Sequence, residues 1–206
     1  MYRDTPQSYV YDNIERLLYV DQPAGWDIAG EKEIVTKLER KNFVHYFNSH
    51  YIAQNTIVAV AGNVDPEDIK KKTAEYFKNI RQGERFGKLA VKESQSEPKS
   101  FVYYKDTDQT HFYLGTRSCH MFDERKYPLG LLSVVLGGGM SSRLFQEIRD
   151  KRGLAYYIRA GNQAYTDSGY FAVRAGVNND KIYEAIKVIL DELKKVRDGG
   201  VTKEEL

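Results

Sequence analysis

LGGGMSSRLFQEIRDKRGLAYYI, Leu136 to Ile158, sets a triple glycine, a short amphipathic helix, Arg149 and Tyr156 in one strip. Ser141 or Ser142 can cap the helix, because short hydroxyl side chains accept from the free N–H groups of a first turn. Gly153 falls at the position after the helix, where a left-handed backbone is required and glycine adopts it without a Cβ clash. Ala155 to Ala160 then alternates as a strand does, which places Tyr156 at its start.

Outward from the strip, His111 to Arg117 and Phe101 to Tyr104 read as paired strands, and Pro128 opens an apolar helix that runs to Leu136. Gly169 to Val177 alternates with Phe171, Val173, Ala175 and Val177 on one face. Asp180 can cap a helix whose Ile182, Ala185, Ile186, Ile189, Leu190, Leu193 and Val196 follow the helical period, with Gly199 and Gly200 stopping it. The order strand, strand, helix, helix, strand, strand, helix predicts an α+β fold: a two-layer sandwich with a largely antiparallel sheet and helices on one face.

The first part opens with Thr5 and Pro6 ahead of a helix carrying Val10, Ile14, Leu17 and Leu18. Helical segments near Lys32 to Leu38 and Arg40 to Tyr51 follow the loop Asp21 to Glu33. Thr56 to Ala61, TIVAVA, reads as a buried strand. Asp65 and Pro66 then begin a helix with Ile69, Thr73, Ala74, Tyr76 and Phe77 inward. From Arg81 to Ser100 apolar periodicity gives way to charge, glycine and serine, so a linker over 81–100 divides a first domain, 1–80, from a second, 101–206.

The 31 basic and 29 acidic residues are spread along the chain and leave a net charge of +2, which marks neither nucleic acid nor a membrane as partner. The 16 tyrosines lack a basic stripe between them and read as half-buried packing residues rather than base-stacking platforms. A single cysteine, Cys119, excludes an internal disulfide and favours a reducing compartment. No apolar run reaches the length of a membrane span, and MYRDTPQSY lacks the basic and apolar regions of a signal peptide.

Gly137, Gly138 and Gly139, followed by Ser141, Ser142 and Arg143, have the look of an anion cradle. A P-loop, however, needs a preceding strand and a lysine where Met140 stands. A tight helix-to-helix turn with positive φ is the preferred reading. Arg149, at a helix end, has a bland role in capping and a chemical one with Tyr156, seven residues on. A guanidinium fork and a phenolic O–H at one site would suit a carbonyl becoming an oxyanion.

The strip resembles the second-domain signature of the pitrilysin/insulinase zinc metallopeptidases, a superfamily that includes mitochondrial processing peptidase and the core proteins of respiratory complex III. Its pattern, approximately LGGG-x-SSRLF-x-E-[IL]-R-[ED]-K-x-GLAY, is matched by Gly137, Gly138, Gly139, Ser141, Ser142, Arg143, Leu144, Phe145, Glu147, Arg149, Lys151, Gly153, Leu154, Ala155 and Tyr156. Asp108, Gln109 and Thr110 stand where the family has TDQ-like residues, and Asp167 with Gly169 where it has D-x-G. Tyr2 to Pro6 and His45 to Ile69 resemble the closing half of the family's catalytic domain.

The resemblance implies two homologous lobes, the first incomplete, around a chamber for extended peptides. It implies that Arg149 and Tyr156 reach the zinc site of the other domain and hold the substrate carbonyl. Gly137, Gly138, Gly139, Ser141 and Arg143 would line the chamber and hold peptide. Family members bind zinc through H-x-x-E-H and a downstream Glu. The four histidines, at 45, 50, 111 and 120, make no such motif, so zinc is expected in the parent protein and no metal ligand in this chain.

Thr202 and Glu205 form a capping-box spacing where the chain stops, and Met1 to Asp4 has no evident role. Both are read as signs of an internal fragment of a bacterial-type enzyme that is inactive alone. The expected partners are a peptide substrate, the missing N-terminal half and a second copy in a homo-dimer, with no nucleic acid and no membrane. The expected location is the cytoplasm. The rival reading is a non-catalytic structural or peptide-binding subunit of the core-protein kind. A nucleotide-binding domain using the triple glycine is a third.

Overall fold

The computed structural model describes residues 5–206, so the first three residues of the Tyr2 to Pro6 motif and the Met1 to Asp4 reading lie outside the described residues. The chain forms two compact units: residues up to Asp27 together with Ala90–Leu206, and Ile28–Leu89.

The larger unit is built on three antiparallel strands, β1 (Gln109–Arg117), β2 (Ala155–Ala164) and β3 (Gly169–Asn178), with β3 in the centre. Phe171, Val173, Ala175 and Val177 of β3 face a helical layer of α5 (Lys126–Gly137), a π-helix over Phe145–Asp150, and α6 (Ile182–Gly199). Leu136, Leu144, Ile148 and Ile189 are wholly buried against them. Each such side chain contributes about 1.5–3 kcal/mol on leaving water, so this layer dominates the unit's stability.

The other face of the sheet is covered in part. Tyr170 and Ala172 of β3 pack under Ile14, Leu18 and Tyr19 of α1 (Pro6–Tyr19). Gly115 of β1 makes the approach possible, since a Cβ there would lie 3.2 Å from the Phe171 carbonyl oxygen and 3.6 Å from Ile14 Cδ1. Arg117 donates to the Leu18 carbonyl and lies 5.5 Å from the Tyr19 ring centroid. Helix α1, placed by sequence in the first domain, thus belongs to the same unit as the sheet.

Within the 81–100 stretch, residues from Ala90 onward join the larger unit. Val91 N–H donates to Asp167, and Gln22 exchanges two hydrogen bonds with the backbone of Lys92.

The smaller unit holds α2 (Lys32–Val35), α3 (Arg40–His50) and α4 (Pro66–Tyr76), none with a buried residue. Asp65 caps α4 as its position requires, accepting from Glu67 and Asp68 N–H. The inward stripe expected on α4 is not packed, however, with Tyr76 80% exposed. Nor is Thr56 to Ala61 a strand: Ile57 is 93% exposed and the segment pairs with nothing among the described residues. Without a neighbouring strand its backbone has no ladder to join. Phe101 to Tyr104 fails as a strand in the same way, with Val102 and Tyr104 almost fully exposed. Asp180 lies inside a 3-10 turn, Asn179–Lys181, that precedes α6, and does not cap the helix.

Candidate functional site

Gly137 and Gly138 serve close packing, and none of the three glycines has a positive φ. Helix α5 runs to Gly137, which with those φ values corrects the turn expected there. A Cβ on Gly137 would fall 2.1 Å from the Ala160 nitrogen of β2, and one on Gly138 would fall 2.7 Å from Val134 Cα. Gly139 faces open space. Ser141 is exposed, while Ser142 is buried and its hydroxyl donates to the Gly139 carbonyl at 2.6 Å.

After Arg143 and Leu144 the chain widens into the π-helix, with Lys151 N–H reaching back five residues to the Gln146 carbonyl. Such widened turns are rare and gather at functional sites. Gly153, at φ +60°, closes it: its N–H bonds the Arg149 carbonyl at 3.1 Å, and Leu154 N–H bonds Ile148 at 2.8 Å. Leu154 and Ile148 are both buried in the core, so the turn is anchored on the apolar side as well.

β2 begins at once and carries an irregularity. Ala155 pairs with Val177 and Tyr157 with Gly176, which leaves Tyr156 as an extra residue in a β-bulge. A bulge re-aims one side chain without disturbing the ladder beyond it. Tyr156 is 55% exposed while its neighbour Ala155 is buried. Arg149 and Tyr156 therefore stand at the two ends of one Gly153-closed turn, both exposed.

Their electrostatics differ from those of neighbouring charges. Glu147 takes both Lys151 and Arg152, each at 2.5 Å, and these cations hold its carboxyl down at about 2. Arg149 has no carboxylate partner among the described residues, and its guanidinium rests 5.1 Å from the Phe145 ring centroid. With the two cations that follow it satisfied by Glu147, Arg149 is left available. Arg143 is engaged: Glu205 accepts from its Nε and Nη2, and the Gly200 carbonyl accepts from Nη2 at 3.2 Å. Glu205 also accepts from Thr202 N–H at 2.8 Å, half of the expected capping box.

Gly137 and Gly138 also line a cavity of about 340 Å³ on the edge of β2, together with Arg159 and Arg174. Sequence reading passed over these two arginines. Their only signal was a polar phase in alternating strands, which ordinarily means a solvated face.

Zinc does not fit here. No group of three or more His, Cys, Asp or Glu capable of holding a metal occurs among the described residues. Three of the four histidines are in other use: His50 stacks on Tyr46 at 4.1 Å, and His111 Nδ1 lies 2.9 Å from the Tyr157 hydroxyl. His120 Nδ1 accepts from Phe122 N–H. No described helix is long and apolar enough to cross a membrane.

The model of the family described as "Peptidase M16 inactive domain" matches residues 37–206. An uncharacterized zinc protease of Rickettsia felis is 36% identical over 205 residues, covering 99% of this chain and 49% of the relative. The uncharacterized zinc protease YmxG of Bacillus subtilis is 29% identical over 206 residues, covering 100% of this chain and 50% of the relative. Among solved structures, a protease from Helicobacter pylori superposes with a TM-score of 0.82 at 25% identity, over 99% of this chain and 51% of that one. The peptidase M16 inactive domain from Pseudomonas fluorescens gives 0.81 at 22%, over 99% and 50%, a likeness of fold. The chain spans about half the length of the relatives it matches. On the strength of the family match over 37–206, this chain belongs to the peptidase M16 inactive-domain family.

Proposed function

We propose that this chain is the substrate-gripping half of a zinc metalloendopeptidase acting on unfolded or extended peptides, with the metal held by the half that it does not contain. The observation that carries the reading is that an Arg149 without a carboxylate partner among the described residues and a bulge-presented Tyr156 stand at the two ends of one turn closed by Gly153. A guanidinium and a phenol are donors without a competing local acceptor, and both can bond one substrate carbonyl as negative charge develops on it. Preorganisation comes from the scaffold: Leu154 and Ile148 anchor the turn, and Glu147 occupies Lys151 and Arg152. In this role Arg149 and Tyr156 orient the carbonyl and stabilise its oxygen, and Gly137, Gly138, Gly139 and Ser141 leave room for extended peptide beside them. Arg143 is held by Glu205 and would reach peptide only by releasing it.

The test is cleavage of an unstructured peptide by the chain alone and by the chain joined to the N-terminal half present in its relatives. We expect no chelator-sensitive cleavage from the first and cleavage from the second. Chelator-sensitive activity in the isolated chain would overturn the division of labour. Inactivity of the joined protein would favour the core-protein-like rival, a peptide-binding or structural subunit.

A further inference from the structure

β3 is buried at every position from Gly169 to Val177 except one, and that one is Arg174. It lies directly opposite Arg159 of β2 and, on its other side, opposite Tyr113 of β1. Cross-strand neighbours of like charge on one face repel each other, and arginine cannot escape by losing its proton. Neither guanidinium has a hydrogen bond or ion pair among the described residues. Glu15 of α1, a carboxylate on this side of the sheet, is taken by the hydroxyls of Tyr165 and Tyr170. Two five-donor forks are therefore set side by side in the central rows of a sheet, with no carboxylate paired to either among the described residues.

The next row along the strands deepens the place. Gly161, Ala172 and Gly115 succeed Arg159, Arg174 and Tyr113 on the same face, and a Cβ on Gly161 would meet nothing within 4 Å. The arginines, with Gly161 and Ala172 from this row, bound the cavity of about 340 Å³, with Tyr11 and Tyr113 on its wall, 6.2 Å apart between ring centroids. Its size is at the lower end for small-ligand sites, enough for one side chain and the adjoining backbone.

We propose that Arg159 and Arg174 form a specificity subsite that receives a carboxylate of the bound peptide. This rests on the peptide-binding reading above and adds a substrate class to it: peptides carrying an acidic side chain, or a free C-terminus, at the residue that enters the cavity. A carboxylate between the two forks takes charge-assisted hydrogen bonds from both and removes the repulsion between them. Tyr113 adds a hydroxyl beside Arg174 and an aromatic wall for the carbon chain of the residue.

The experiment is a fluorescence titration of the intact chain with three labelled, unstructured peptides of equal length. One contains a single glutamate and an amidated C-terminus, one replaces that glutamate by glutamine, and one keeps the glutamine but has a free C-terminus. Each is measured against the native chain, Arg159→Gln and Arg174→Gln. We expect a carboxylate-bearing peptide to bind at least about tenfold more tightly than the neutral one, and the advantage to vanish in either variant. Which of the two acidic peptides gains identifies the carboxylate as side-chain or C-terminal. Melting temperatures should hold or rise in the variants, since a like-charge neighbour has been removed. Equal binding of all three peptides, unmoved by the substitutions, would overturn the subsite and leave peptide binding intact. Failure of every peptide to bind would overturn both.

Discussion

Gly137 of α5 and Ala160 of β2 approach so closely that a Cβ built on the glycine falls 2.1 Å from the alanine nitrogen. The atom in the way belongs to a strand backbone, which cannot swing aside as a side chain can. Gly137→Ala must push the helix off the sheet beneath Leu136, at the centre of the core. We expect a loss of about 3 kcal/mol, at the upper end for an overpacked site, read from urea unfolding. Gly139→Ala, in open space, should be silent by the same measurement.

Gly153 carries a different constraint. Its φ of +60° is one that a residue with a Cβ adopts at a cost, and its N–H and that of Leu154 close the π-helix. Gly153→Ala should cost about 1–2 kcal/mol. It should also loosen the turn on which Tyr156 is presented. Hydrogen exchange at Leu154 and Tyr156 would show that loosening as faster exchange there than in β3.

His111 should make stability depend on pH. Burial lowers its pKa below the usual 6.5, and its Nδ1 is held by the Tyr157 hydroxyl, itself pushed up to about 12 by burial. Arg174 and Tyr113 are the other titratable groups felt at this place. The fold therefore resists a proton that the unfolded chain accepts. Stability is full above 6.5 and is lost as pH falls from there through the lowered pKa of the folded state. Unfolding free energies at pH 7.5 and 5.5 should show a drop in the native chain that is smaller in His111→Gln, the carboxylates contributing equally to both.

Much of this was legible in the sequence. The alternation of Phe171, Val173, Ala175 and Val177 and the glycine at 153 follow from one local rule each and are found in place; of the stripe on α6, Ile182, Ala185, Ile189, Leu193 and Val196 join the core while Leu190 is exposed. TIVAVA and Phe101 to Tyr104 satisfied the strand pattern equally well and are not strands. A strand needs a partner, and apolar runs of this length report only a readiness to pair. The glycines at 137 and 138 were read as conformational because sequence reports the missing Cβ and not which surface approaches it. Arg159 and Arg174 are 15 residues apart in sequence, and only the register of β2 on β3 makes them neighbours. The bulge at Tyr156 was likewise invisible, since it is a property of pairing and not of composition.

The most direct measurement is kcat/KM for an unstructured peptide in the chain joined to the N-terminal half of its relatives, with Arg149→Ala and Tyr156→Phe set beside the unsubstituted protein. Both side chains are exposed, so melting temperatures should stay within a degree or two. Loss of a donor to a developing oxyanion costs about 10²- to 10³-fold, and we expect kcat/KM to fall by that much in each variant, mainly through kcat. Turnover within about twofold of the unsubstituted protein in both variants would contradict the carbonyl-holding role.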